Sequence, residues 1–188
     1  MATTAQARGG RAPFSAAQNQ FDQLLGWLRG DEAPPTHGKL EEAIVERGTE
    51  LLRQLMQGRL DLLFERERSE LARAGGEPAV QVRARPRQLE NQLGRLVVWR
   101  HGFKRGEAPA RFPMDETLNL PADLYSHPLR ERVADEARRG AWQQVVEHID
   151  ERTAGHVPKR QAQELAVHAA QDFEAVYEQQ PPPAHDLL

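Results

Sequence analysis

Apolar residues recur at three- and four-residue steps through most of this 188-residue chain and give way to a β-forming texture only once, between Val80 and Phe103. A helical period on both sides of one short β-rich stretch predicts a mainly α fold with a single β-hairpin. Residues 1–13, with Gly9, Gly10 and Pro13, read as a flexible arm, and Phe14, Phe21, Leu24, Leu25 and Leu28 predict a helix over 14–29. Pro34 and Pro35 break it. Leu40, Ile44, Leu51, Leu52, Leu55, Met56, Leu62 and Leu63 then predict a longer helix to Ala74, which completes a helical hairpin over 14–74. The expected role of the long helix is to face a core together with the first. A dimerising coiled coil is the rival reading, and the heptad broken at Gly48 and Gly58 speaks against it. Each of those glycines costs ~1 kcal/mol against alanine, so tertiary packing has to hold the helix.

The net charge of −3 hides a strong asymmetry. Residues 1–78 carry 10 basic and 12 acidic side chains, residues 79–111 carry 8 and 2, and residues 112–188 carry 7 and 14. A local basic excess is the footprint of a polyanion contact, with a solvated surface as the plain alternative. Within 79–105 the Gly94-Arg95 pair suits a type II′ turn. That turn pairs Leu93 with Leu96, Asn91 with Val98, Leu89 with Arg100 and Arg85 with Lys104. Side chains alternate with period two, so Arg83, Arg85, Arg87, Arg100 and Lys104 fall on a single face. The hairpin is then apolar near its turn and basic at its open end.

A connecting loop over 106–125 leads to a three-helix unit over 126–178, and a Pro-rich tail over 179–188 follows. Ser126 is the expected N-cap of the first helix, with Pro128 in its first turn and Leu129, Val133 and Ala137 as its apolar stripe. The second carries Trp142, Val145, Val146 and Ile149; the third, opened by Pro158, carries Ala162, Leu165, Ala166, Ala169, Phe173 and Val176. Helices at 141–153 and 158–178 joined through Gly155 have the pattern of a helix-turn-helix. With the stripe facing inward, Arg160, Glu164, Val167 and Gln171 point outward and Lys159 and Gln163 lie beside them. Arginine suits guanine, glutamine adenine, an aliphatic side chain the thymine methyl, and lysine a phosphate.

Other chemistries find little support. With no cysteine there is no disulfide frame, thiolate nucleophile or sulfur-ligated zinc, and a reducing, cytoplasmic compartment is the natural setting. No apolar run is long enough to span a membrane, and Met1 to Pro13 lacks the apolar core of a secretory leader. His148, Asp150 and His156 straddle a turn without metal-ligand spacing, and no glycine-rich phosphate loop is present, so no cofactor or metal is expected. Asp135-Glu136 reads as part of a solvated helix face.

The succession of motifs carries a resemblance. Arg-Gln-Leu-Glu-Asn-Gln-Leu-Gly-Arg-Leu-Val-Val-Trp-Arg-His-Gly-Phe (87–103), Phe112 to Pro121, Tyr125-Ser126, Leu129 to Gly140, and His156 to Gln161 through Ala169 to Phe173 resemble the N-terminal half of bacterial insertion-sequence transposases of the ISKra type. The likeness spans roughly 40–178 and is strongest over 87–177. It implies double-stranded DNA at mobile-element ends as the partner, in a nucleoid setting. Such transposases are DDE enzymes whose ribonuclease-H-like domain, downstream, binds two metals through acidic residues. The segment Pro181 to Leu188 stands where the linker to that domain would come. The expectation is therefore a DNA-binding portion without catalysis of its own. The alternative is a protein-interaction module that forms a homodimer or joins a separate catalytic transposase.

Overall fold

In a computed structural model that describes residues 12–32, 36–74 and 80–179, with the side chains of 74 and 171–179 outside the description, the chain is mainly helical with one antiparallel hairpin. Two helices come first, α1 (Ser15–Arg29) and α2 (His37–Ala74). Strands β1 (Val80–Asn91) and β2 (Gly94–Arg105) follow, then a short α3 (Pro113–Thr117). The last three are α4 (His127–Ala137), α5 (Trp142–Arg152) and α6 (Lys159–Gln179). The expected arm falls almost wholly outside the described residues, as does the Pro-rich tail apart from Gln179.

The hairpin is the spine of the molecule. Its register differs from the sequence expectation: Asn91 pairs with Gly94, Leu89 with Leu96, Arg87 with Val98, Arg85 with Arg100 and Gln81 with Lys104. The turn therefore comprises Gln92 and Leu93, two residues earlier than the Gly94-Arg95 expected. Asn91 explains the change, because its Oδ1 accepts the Leu93 N–H at 2.7 Å and closes the turn from the side chain. Gly94 still serves the turn, at its closing position, with φ of 107°. Moving the pairing by an even number of residues keeps the faces intact, so the five cations named above still share one side.

α2 runs along the outer edge of β2. Gln57 grips β2 twice, donating to the Val97 carbonyl at 2.8 Å and accepting the Val97 N–H at 2.9 Å. Farther along, Phe64 stacks on His101 at 4.6 Å between ring centroids. The start of α1 packs on α2 at Gly58, where a Cβ would stand 2.7 Å from a Phe14 ring carbon and 3.0 Å from the Phe14 nitrogen. Gly58 is thus a contact point for the first helix and not merely a weak place in the second.

The segment expected as a connecting loop is fastened at both ends. Phe103 and Arg111 exchange backbone hydrogen bonds at 2.8 and 2.9 Å, and Glu90 donates to the Leu124 carbonyl and accepts from Ser126. Between these ties, α3 presents Met114 to a core cluster with Leu60, Leu89, Leu96 and Val98. The second cluster fills the C-terminal unit: Tyr125, Leu129, Val133, Val145, Ile149, Val157, Ala162 and Leu165. Ser126 caps α4 as expected, accepting the Leu129 N–H at 3.4 Å. At the start of α5, Gln144 reaches back to accept the Ala141 N–H at 3.2 Å. Gly155 is required by close approach: a Cβ there would lie 2.4 Å from the Asn91 carbonyl oxygen, so the α5–α6 link sits directly on the hairpin turn.

Candidate nucleic-acid interface

Alternation along the two strands delivers five cations to one face, but the segment 111–126 divides them into two groups. Arg87 and Arg100 lie beneath it. The Arg87 guanidinium donates to Asp115 at 3.4 Å and to the carbonyls of Pro121 and Asp123, while Arg100 forms an ion pair with the same Asp115. Arg100 also stacks over the Phe112 ring, 4.0 Å from its centroid, and Phe112 in turn lies against Gly102, where a Cβ would come within 2.8 Å of the ring. Burial pulls both guanidinium pKa values below the ordinary arginine value; the Asp123 charge partly offsets this at Arg87, and the Arg87 charge adds to it at Arg100. The expectation that all five cations wait for an external anion is corrected here, because Asp115 is an internal one. Asp115 and α3 were not singled out in the sequence, where 106–125 reads as an uninterrupted loop.

Arg83, Arg85 and Lys104 remain at the open end, exposed and with no carboxylate partner among the described residues. Arg83 faces Gly102 and Lys104 faces Gln81, while Arg85 faces Arg100 across the ribbon. The five cations of this face thus resolve into a structural pair and an accessible trio, while Arg95 and Arg111 elsewhere in 79–111 pair with Glu90 and Glu116.

The helical candidates emerge at the surface of α6. Lys159 and Arg160 are exposed in its first turn, Val167 is 54% exposed two turns on, and Gln163 is half-buried between them. Arg160 is held by Glu164 at 3.0 Å, an exposed pair one turn apart that a phosphate or base can displace at small cost. Gln171 lies within α6, and its side chain is outside the described residues. Val157, a poor N-cap by type, instead drives the entry to α6 into the core, where it is fully buried.

Besides the exposed His37–Glu41 pair, three histidines each hold one carboxylate. His101 bonds Glu67 at 2.7 Å, His156 bonds Asp150 at 2.9 Å, and His148 turns away from both of its sequence neighbours to Glu136 at 3.1 Å. Glu136 corrects a second expectation, for it is only 4% exposed and not part of a solvated face. The His148 hydrogen bond, outweighing desolvation and helped by Arg139 and Arg152, holds its carboxyl below the usual range. No group of three or more His, Asp or Glu side chains converges in a metal-holding arrangement among the described residues. No helix among them is long and apolar enough to cross a membrane.

No protein-family model matches the chain, and no curated protein does.

Proposed function

We propose that this chain binds double-stranded DNA and performs no chemistry on it, with the open end of the hairpin meeting phosphates and the first turns of α6 meeting base edges. The observation that carries the reading is the exposed trio Arg83, Arg85 and Lys104, left without carboxylates among the described residues on a face whose other two cations are neutralised from inside. Three like charges on a narrow ribbon repel unless an anion lies against them, and a phosphate backbone supplies regularly spaced anions. The α5–α6 pair adds a helix whose exposed Lys159, Arg160 and Val167 have the types that read grooves. The resemblance to ISKra-type transposases over roughly 40–178 points the same way: in that reading the chain is the pre-catalytic, end-recognising region, at work on the bacterial chromosome.

The reading is tested by selecting duplexes from a randomised library with the purified chain and measuring affinity for the selected and the random DNA. Arg160→Ala or Gln163→Ala should cost ~1–3 kcal/mol on the selected site and little on random duplex. Equal losses on both, or no enrichment at all, would remove base reading by α6.

A further inference from the structure

Among the described residues, the N-terminal helices leave an apolar surface exposed. Along α2, Ile44, Val45, Leu52, Leu55 and Met56 are all exposed, Val45 to 64% and Leu52 to 52%. At about 100° per residue these five positions and Gly48 fall within an arc of roughly 120°. α1 occupies a different side of α2, since it is reached from Arg47, which stacks on Trp27 at 4.3 Å, and from Gly58. The hairpin occupies another, reached from Gln57 and Phe64.

Two features indicate what covers this stripe. Gly48 lies in its middle, and a Cβ there would meet nothing within 4 Å, so the helix carries an open notch at the centre of its own apolar face. Glu41 and Arg59, both exposed, sit on the midline of the same arc at its two ends; Glu41 lies 3.8 Å from His37 in an exposed pair, and Arg59 has no carboxylate partner among the described residues. The pattern is self-complementary about residue 50. An antiparallel copy of α2 sets Ile44 against Met56, Val45 against Leu55, Leu52 into the Gly48 notch, and Glu41 against Arg59, each twice by symmetry. A parallel copy instead sets Glu41 against Glu41 and Arg59 against Arg59.

We propose that the chain forms a two-fold homodimer through α2, paired antiparallel about residue 50. An isologous interface requires this kind of self-complementarity, whereas an unrelated partner does not. Gly48 gains a purpose on this account: it admits Leu52 of the second copy, which offsets its poor helix propensity. The paired stretch 41–59 is about 27 Å long, which puts the interface toward the small end of stable ones, so dimerisation is reversible over an accessible concentration range.

Sedimentation equilibrium of the full chain without DNA, over a concentration series at low salt, tests the proposal independently of any nucleic-acid binding. The wild type should pass reversibly from monomer to dimer. Leu52→Glu should be monomeric throughout with an unchanged circular dichroism spectrum, since the position is on the surface. Gly48→Leu should raise helical stability yet weaken the dimer more than tenfold. Glu41→Arg and Arg59→Glu should each weaken it about tenfold, two exposed pairs being reversed at once, and the double exchange should restore it. A wild type that stays monomeric, including one in which residues 1–11 fold over the stripe, overturns the proposal. So does a dimer that survives Leu52→Glu or that the double charge exchange fails to restore.

Discussion

The two helical regions of this chain use similar apolar periodicity to different ends. In α4, α5 and α6 the stripes turn toward one another, and Leu129, Val133 and Ile149 are completely buried. In α1 and α2 comparable residues remain half open: Phe21, Leu28, Ile44, Leu52 and Leu55 are all exposed. A three-helix unit closes on itself, whereas two antiparallel helices have only one seam to share, and the rest of a broad stripe needs something else. The hairpin supplies part of it through Leu60, Leu63 and Phe64. From Ile44 to Met56 the stripe stays exposed, and the hairpin reaches its edge, where the Asn91 amide donates to the Met56 sulfur at 3.4 Å. Periodicity therefore states that a face is apolar without stating what covers it.

Truncation should separate the two regions most clearly. Ile149→Ala or Leu129→Ala should cost ~2–5 kcal/mol in denaturant unfolding, because each leaves a cavity in a closed core. Leu55→Ala, of similar chemistry but exposed, should change the stability of the monomer by no more than about 0.5 kcal/mol. Similar losses at the two sites would mean that the N-terminal stripe is covered within one chain.

The junction between the regions is polar, and its expected effect is next in size. Asp115→Ala leaves Arg87 and Arg100 facing each other, half-buried, without their shared carboxylate. A loss of about 2–3 kcal/mol should follow, less than for a fully buried charge because water reaches both guanidinium groups. Replacing Arg83 with glutamine, on the same face but exposed, should leave stability nearly unchanged.

Acid should sharpen the contrast from the other side. The Glu136 carboxyl has a folded pKa below the ordinary glutamate value, so its contribution to stability is fully present above that ordinary value and is lost as pH falls through the depressed one. Unfolding followed by the near-ultraviolet signal of Trp142, which packs against the C-terminal core, should show acid destabilisation in that window. Glu136→Gln should remove this part of the pH dependence. If the acid limb is unchanged in the variant, other carboxylates set it.

Much of this architecture is legible in the sequence because local chemistry decides it. Ser126 before Pro128 marks the start of α4, and Gly155 marks the α5–α6 link, although its reason proved to be the approach of the Asn91 carbonyl rather than a turn conformation. The single hairpin and its basic end follow from residue types and from alternation. What escaped depends on distant partners. The register moved because the Asn91 side chain could close a turn as well as the glycine could. Arg87 and Arg100 left the candidate interface because Asp115 arrives from a segment with no periodic signal, and Glu136 left the solvated face because His148, Arg139 and Arg152 surround it. Gly48 looked like a flaw in a heptad, and only the open space above it shows a notch.

On the function proposed above, an accessible trio, and not the full set of five cations, meets DNA phosphates. This is tested most directly by the slope of log affinity against log salt concentration on random duplex. Three neutralised phosphates contribute roughly −2.7 at about −0.9 each, against about −4.5 for five. The combined variant Arg83→Gln, Arg85→Gln, Lys104→Gln should flatten the slope by about 2 to 3 units and leave the preference for selected over random DNA intact. Arg87→Gln should lower stability without changing the slope. An unchanged slope in the triple variant, with its fold intact by circular dichroism, would contradict the account and assign the trio to solvent.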